Sequence, residues 1–479
     1  MKKLLVSITS LFFVFNLAYG QNYYALFSPH QGKKAFEEVY KLVAKAKKSV
    51  KISIYSWSDN GIDKAMALAL KNKASVRIVV HPPLLKKKAV ITKIAKLEKI
   101  GAEVKVATMK MHEKMIIVDN QNIINTSANM SGGAKSRYSE NFVFMTDLNK
   151  ADKILNDFIH EFTVLWNSSI DLQTHNEGLS AELNEYTKVS GSKILNIPSK
   201  GNPVLYSSSM NFNITEASTN DINKGRFIRL KSKKVSNKKT WIIRDMLIEQ
   251  IKKAKQSILL NLNHFYLDTL LPHLANAIKR GVKVAFMVDN QEFKTTRTPR
   301  ESTPKFVQMW NKSFSNLGPA PVRIKYYSHA PSPRFWYLNH HKYLLIDYSE
   351  SGNDTTLITG SYNLSQTAEL SQFDNMVVYS GGKFKKLHKA FKQEFMSMWH
   401  QNRTSEDKPS QKILKALTYV NEKGNIALHY KEPISLTWKE AMKVKAAVAK
   451  KAKGIFNGIF RKRNCFSFNV NTQKFNCAP

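Results

Sequence analysis

The stretch His112-Glu113-Lys114-Met115-Ile116-Ile117-Val118-Asp119 decides how the chain is read, because its spacing returns as His340-His341-Lys342-Tyr343-Leu344-Leu345-Ile346-Asp347. Both copies have the form His-x-Lys-x-x-x-x-Asp. On an extended strand residues two apart point to one face, so each imidazole shares a side with its ammonium. The apolar run that follows has the pattern of a buried strand. Each copy then leads to a small polar turn, Thr126-Ser127-Ala128-Asn129-Met130-Ser131 and Gly360-Ser361-Tyr362-Asn363-Leu364-Ser365, and closes on an acid-amide pair, Glu140-Asn141 and Asp374-Asn375. A solvated surface explains one His-x-Lys pair in a basic protein, but it does not explain two with matched Ser, Asn and acid downstream.

The repetition spreads outward from the motifs. Ala46-Lys47-Lys48-Ser49 before the strand-like 50–55 is echoed by Ala254-Lys255-Gln256-Ser257 before 258–262, and Val76 to Val80 by Val282 to Phe286. Phe158, Glu161, Phe162 and Trp166 recur with the same internal spacing as Phe391, Glu394, Phe395 and Trp399. Duplication is the simplest account, giving two similar lobes. In the first, helical spacing over 33–48 and 63–73 alternates with strands at 23–28, 50–55, 76–80 and 103–107. A Lys-rich helix over 84–100 turns Leu97 and Ile100 inward and ends on Gly101. This alternation predicts an α/β fold with central mixed or largely parallel sheets flanked by helices.

The expected organisation is a signal peptide at 1–20, a first lobe at 21–167, a polar linker at 168–202, a second lobe at 203–403 and a basic extension at 404–479. Lys2 and Lys3, the apolar run Leu4 to Leu17 and the small residues before Gln21 form a secretory pattern, interrupted by Ser7, Thr9, Ser10 and Asn16 and short for a span of about 20 residues. Export to the periplasm or medium is the expectation. It would permit a disulfide between Cys465 and Cys477, and a Cys pair without nearby His does not suit a metal. Residues 294–337 read as a Pro-containing loop holding Arg297, Arg300, Lys305, Phe335, Trp336 and Tyr337, either a recognition loop or a mobile insertion without specificity. Thr437-Trp438-Lys439-Glu440 reads as a capping box opening a basic helix, which suits an anionic membrane, a nucleic-acid backbone or a solvated cover for the lobes.

With 74 Lys and Arg against 36 Asp and Glu, the formal net charge is +38. Such a balance favours polyanions, whether nucleic acid or an anionic membrane surface, although evenly spread solubilising charge gives the same total. Two imidazoles, two ammoniums and two carboxamides around one centre suit a phosphodiester. A neutral His can attack phosphorus while a protonated His supplies the departing oxygen. Lys and Asn donors offset the charge gathering on the non-bridging oxygens, each worth about 3 kcal/mol. The scheme requires neither metal nor cofactor. The sequence shows no Asp/Glu/His cluster with ligand spacing and no Gly-x-x-x-x-Gly-Lys-Ser/Thr loop.

The doubled motif resembles the phospholipase D superfamily, over most of residues 22–400. The resemblance implies two phospholipase D-like lobes with the active site at their junction. Carried over residue by residue, it makes His112 the nucleophile and His340 the general acid. Lys114, Lys342, Asn129 and Asn363 would grip phosphate with Ser127 and Ser361, Asp374 would orient His112, and Glu140 would orient His340. Asp119 and Asp347 look structural in the family. Thr126 stands where Gly is usual and Asp374 replaces the commoner Glu, but neither removes a reacting group. Cleavage or transfer of phospholipid head groups leads, because the family's small exported nucleases commonly carry one motif and dimerise. A secreted metal-independent nuclease and a non-catalytic polyanion-binding protein are the alternatives. Cardiolipin synthesis is disfavoured, since such synthases usually bring transmembrane helices. A monomer with internal pseudo-twofold symmetry is expected.

Overall fold

The computed structural model describes residues 22–107, 109–176, 178–182, 201–213, 231–232, 234–235, 238–239, 241–294, 302–328, 336–403, 429–446, 465–469 and 474–477. The expected signal peptide, most of the basic extension and residues Arg297, Arg300 and Phe335 lie outside them.

Two sheets with the same strand order organise the chain. In the first the order is Asn22–Ser28, Glu140–Thr146, Asn122–Thr126, Met115–Val118, Ser49–Ile54, Ser75–Val80, Glu103–Ala107, Ser169–Asn176 and Gly178–Glu182. The second runs Val204–Ser207, Asn375–Ser380, Thr356–Gly360, Lys342–Ile346, Ser257–Leu262, Lys283–Asp289, Val322–Ser328 and His429–Thr437. Both are mixed. The strands from 49, 75 and 103, and those from 257, 283 and 322, run parallel, whereas the motif strands pair antiparallel with the first of each trio. Parallel neighbours need crossover connections. Helices Gly61–Lys71 and Lys88–Glu98 supply them in one lobe, Leu271–Lys279 and Ser302–Ser313 in the other.

Helix Ser302–Ser313 and strand Val322–Ser328 occupy much of the expected loop at 294–337. Phe306, Val307 and Trp310 bury on the helix, and Pro304 sits in its first turn, where its missing N–H costs nothing. Of residues 169–182, expected within the linker, Ser169–Asn176 instead pairs antiparallel with Glu103–Ala107, and Gly178–Glu182 pairs antiparallel with Ser169–Asn176 to form the edge. His429–Thr437, expected in the extension, takes the matching place beside Val322–Ser328. Edge strands carry many polar side chains, so by composition they read like linkers. The helix expected over 84–100 is a turn at Pro82–Lys86 followed by Lys88–Glu98. Leu97 is buried, but Ile100 lies beyond the helix end and is 51% exposed.

Three cores result. Two lie one on the outer face of each sheet, under its crossover helices, and the third is shared between the sheets. The closing helix Lys153–Asn167 packs on strand Val204–Ser207 of the second lobe, while Lys385–Trp399 packs on Asn22–Ser28 of the first. Phe391 meets Phe27 edge to face with centroids 5.0 Å apart. Buried aromatics of this size stabilise by roughly 2 to 3 kcal/mol each, so the junction is a true core. The capping box forms: Thr437 N–H donates to Glu440 Oε2 at 2.8 Å and Glu440 N–H to Thr437 Oγ1 at 3.2 Å. Strands Cys465–Asn469 and Lys474–Cys477 pair with Cys465 opposite Cys477, the register a bridge between them would use. Among the described residues no helix is long and apolar enough to cross a membrane.

Candidate active site

The two motif strands lie at the centres of their sheets, and the chain just before each one crosses to the opposite lobe. Lys110–Met111 pairs in parallel with Gln372–Phe373, and His112 N–H donates to Phe373 O at 2.9 Å. Ser139 pairs in parallel with Asn339, and His340 N–H donates to Ser139 O at 2.9 Å. Each His is thereby held against the segment that carries the other lobe's carboxylate.

The side chains follow. His112 Nδ1 lies 2.8 Å from Asp374 Oδ1, and His340 Nδ1 lies 2.8 Å from both Oε1 and Oε2 of Glu140. Lys114 Nζ donates to His112 O at 2.5 Å and Lys342 Nζ to His340 O at 2.7 Å. An ammonium has three donors, and the carbonyl takes one of them. Asn129 and Asn363 hold buried side-chain oxygens without a hydrogen-bond partner.

Ser127 and Ser361, expected on the phosphate, face elsewhere. Their hydroxyls donate to Glu140 Oε2 and Asp374 Oδ1, each at 2.7 Å, and accept from Asn141 N–H at 2.9 Å and Asn375 N–H at 3.0 Å. A hydroxyl has one proton, and each is given to a carboxylate. Gln372 Nε2 also donates to Asp374. The serines are thus positioning residues for the acids.

Asp119 and Asp347 stand away from the histidines. Asp119 accepts the N–H groups of Lys47, Lys48 and Ser49, the shortest contact being 2.7 Å, and Asp347 accepts those of Lys255, Gln256 and Ser257, again with a shortest contact of 2.7 Å. Each ties the end of a motif strand to the start of its neighbour. At Gly360 a Cβ would lie 2.2 Å from Asn375 O. Thr126 fits the equivalent place by donating its hydroxyl to Asn141 O at 2.6 Å and accepting Ala128 N–H at 2.9 Å, which turns it toward the strand behind.

Burial and like charge set the electrostatics. Burial, then Lys114, Lys342, Lys110 and His340, hold His112 well below its ordinary value. Burial, then Lys342, Lys114, His264 and His341, do the same to His340. Burial and Lys342 bring Lys114 down to about 7, and burial brings Lys342 down to about 8. Burial raises Glu140 and Asp374 to about 7 each. Crowded cations and half-titrated acids at a buried centre are the electrostatics of a site awaiting an anion.

Sequence reasoning missed several neighbours. Tyr55 meets His112 edge-on with ring centroids 4.6 Å apart, stacks on His81 at 4.6 Å and lies 4.9 Å from Lys114 Nζ. Its place directly after a parallel strand was the available signal, because side chains there face the crevice of an α/β sheet. Behind the motif strands, Glu161 takes hydroxyl protons from Ser207 at 2.8 Å and Ser209 at 2.7 Å, next to Glu113, whose burial and nearness to Glu161 raise its pKa well above normal. The corresponding place in the second lobe holds His341 and Glu394, with His341 Nε2 3.0 Å from Glu394 Oε1. Among the described residues no group of three or more His, Cys, Asp or Glu forms a metal-binding set.

With this geometry in place, the comparisons with known proteins agree on class. The family model described as cardiolipin synthase, PLD-like domain matches residues 39–166 and 247–399, one segment per motif. The chain belongs to the phospholipase D superfamily. It is similar to the phospholipase D of Rickettsia prowazekii, 28% identical over 139 residues, which is 29% of this chain and 66% of that enzyme. The equivalent enzyme of Rickettsia conorii is 27% identical over 136 residues, 28% of this chain and again 66% of the relative. The chain therefore matches slightly under two thirds of these relatives' length. Among solved structures, the phosphatidylserine synthase of Haemophilus influenzae shares the fold at TM-score 0.50 and 11% identity, over 78% of this chain and 86% of that one. The Salmonella typhimurium phospholipase D family member Nuc is 25% identical at TM-score 0.29, covering 32% of this chain and 97% of Nuc.

Proposed function

We propose that the protein is a phospholipase D-type phosphodiesterase that hydrolyses or transfers phospholipid head groups through a phosphohistidine intermediate. One observation carries the reading: His112 and His340 each take a carboxylate from the opposite lobe on Nδ1, with Lys114 and Lys342 beside them. A carboxylate accepting Nδ1–H leaves the Nε2 lone pair of His112 free to attack. In the first step that lone pair forms an N–P bond, the P–O bond to the leaving alcohol breaks, and His340 gives its Nε2 proton to the departing oxygen. In the second, the oxygen of water or another alcohol attacks phosphorus, its proton passes to His340, and the N–P bond breaks. The lysine ammoniums and the Asn129 and Asn363 amides stabilise the charge on the non-bridging oxygens throughout.

His112→Asn should lower turnover of a nitrophenyl phosphodiester by more than about a thousandfold. Full activity in that variant would remove the nucleophile from the scheme. The substrate class is tested by incubating the protein with phosphatidylcholine or phosphatidylglycerol vesicles and, separately, with plasmid and single-stranded DNA in EDTA. Head-group release is expected. DNA nicking without it would favour the nuclease reading, to which the +38 charge lends support. Membership of a two-motif chain supports the lipid reading and a monomeric state, and the N-terminal secretory pattern supports action outside the cytoplasm at an anionic membrane surface.

A further inference from the structure

The second lobe carries a histidine beside its motif strand at a place where the first lobe has none. Trp57 pairs with Met130, just after Asn129, and Phe265 pairs with Leu364, just after Asn363. The residues before Trp57 and Phe265, Ser56 and His264, therefore hold equivalent places, and here the duplication is broken. His264 sits between two anchored neighbours: Asn263 N–H donates to His341 O at 2.8 Å and Tyr266 N–H to Leu364 O at 2.8 Å. These bonds fix it between the second motif strand and the turn that presents Asn363. Its side chain keeps 22% exposure, while its partner Glu292 is fully buried.

The partner is itself held. Glu292 Oε1 lies 3.1 Å from His264 Nδ1, and Thr303 Oγ1 donates to Glu292 Oε2 at 2.9 Å. Tyr266 stacks on the imidazole at 5.0 Å with its hydroxyl 3.0 Å from Nδ1. With Nδ1 turned to Glu292 and Tyr266, Nε2 is the ring nitrogen left for a ligand. His264 is among the groups whose charge His340 feels.

In-line displacement fixes what this corner meets. Attack by His112 expels the leaving oxygen on the far side of phosphorus, where His340 protonates it. A side chain beside His340 faces the leaving alcohol in the first step and the acceptor alcohol in the second. We propose that His264, backed by Glu292, forms a subsite for a hydroxyl on that alcohol, so that the enzyme selects polyol head groups of the glycerol type. This rests on the phospholipase reading above.

The test uses mixed vesicles of phosphatidylglycerol and phosphatidylethanol with identical acyl chains, so that charge and surface are shared and only the hydroxyls of the alcohol differ. Wild-type protein should release glycerol at least about tenfold faster than ethanol, because a site built to bond a hydroxyl rejects an analogue lacking it. His264→Ala should bring the ratio close to one, with Glu292→Gln between. The ratio is internal to each sample, so loss of folded protein does not move it, and Glu292→Gln reads the subsite should His264→Ala not fold. A wild-type ratio near one, or an unchanged ratio in the variants, overturns the subsite while leaving the phospholipase reading standing. Cleavage of neither lipid by the wild type overturns the subsite, and absence of release from phosphatidylcholine as well overturns both; either shows as absent product rather than as a ratio.

Discussion

His112 and His340 have like partners and, in the mechanism proposed above, need unlike protonation states, and the surrounding charges govern the pH range in which both are served. Asp374 and Glu140 titrate at about 7, raised chiefly by burial, while Lys114 and Lys342 titrate at about 7 and about 8, lowered chiefly by burial. Below neutrality the acids take up protons and the imidazoles lose their oriented acceptors; above it the lysines lose charge. The expected kcat/KM profile is a narrow bell near neutrality. Lys114→Arg should carry the alkaline limb upward toward about 8, where Lys342 loses its charge, at a lower maximum, since guanidinium stays charged. An unmoved limb in that variant would mean another group sets it. The same shifts bear on stability. The acids, raised from 3.8 and 4.5, bind protons in the folded state that the unfolded chain has lost, so their contribution falls as pH rises from about 4 to about 7. The lysines, lowered from 10.5, bind fewer protons folded than unfolded, so their contribution recovers as pH rises from about 7 toward 10.5. The site therefore destabilises the fold most near neutrality. An oxyanion such as tungstate should raise Tm most there, as thermal unfolding across pH would show.

Among the elements, the loops held by Asp119 and Asp347 are the clearest case of one device built twice. Each carboxylate gathers three successive N–H groups, and a charged acceptor is worth about 1.5 to 3 kcal/mol per bond before its own ordering cost. Asp347→Ala should cost roughly 2 to 3 kcal/mol in urea unfolding, and a loss under 0.5 kcal/mol would show that water replaces the carboxylate. The sequence shows these residues through their place in the motif, and the lobes through strand and helix periods that recur. Other elements were hidden for physical reasons. Helix Ser302–Ser313 begins with Pro304 in its first turn, and its buried Phe306 and Trp310 are interleaved with polar residues. Strand Ser169–Asn176 is polar because it lies near a sheet edge. Ser127 and Ser361 lie next to phosphate-gripping candidates in sequence, yet the turn points their hydroxyls backward to the acids. Spacing along a chain does not fix that rotation. His264 belongs to a loop with no period at all; the repeat sets it against Ser56 in number, and the paired bridges Trp57 to Met130 and Phe265 to Leu364 show that the two hold the same place.

For the molecule as a whole, the carboxylate of each dyad comes from the other lobe and each closing helix packs on the other lobe's first strand. Neither lobe holds a complete dyad. If the chain is cut between residues 182 and 201, neither fragment alone should turn over a nitrophenyl phosphodiester. Coexpressed fragments should recover activity and elute together on gel filtration, because the shared core joins them without the covalent link. Activity in one isolated fragment that elutes as a monomer would contradict the crossed arrangement.

A phosphodiester is itself lopsided: one ester arm stays on phosphorus and the other departs. An assembly of two identical halves would greet both arms alike and could take the substrate in either sense. One continuous polypeptide is free of that constraint. With Tyr55 and His81 beside His112 and His264 at the subsite proposed above, a diester would meet two different ends, and so it could be made to face only one way.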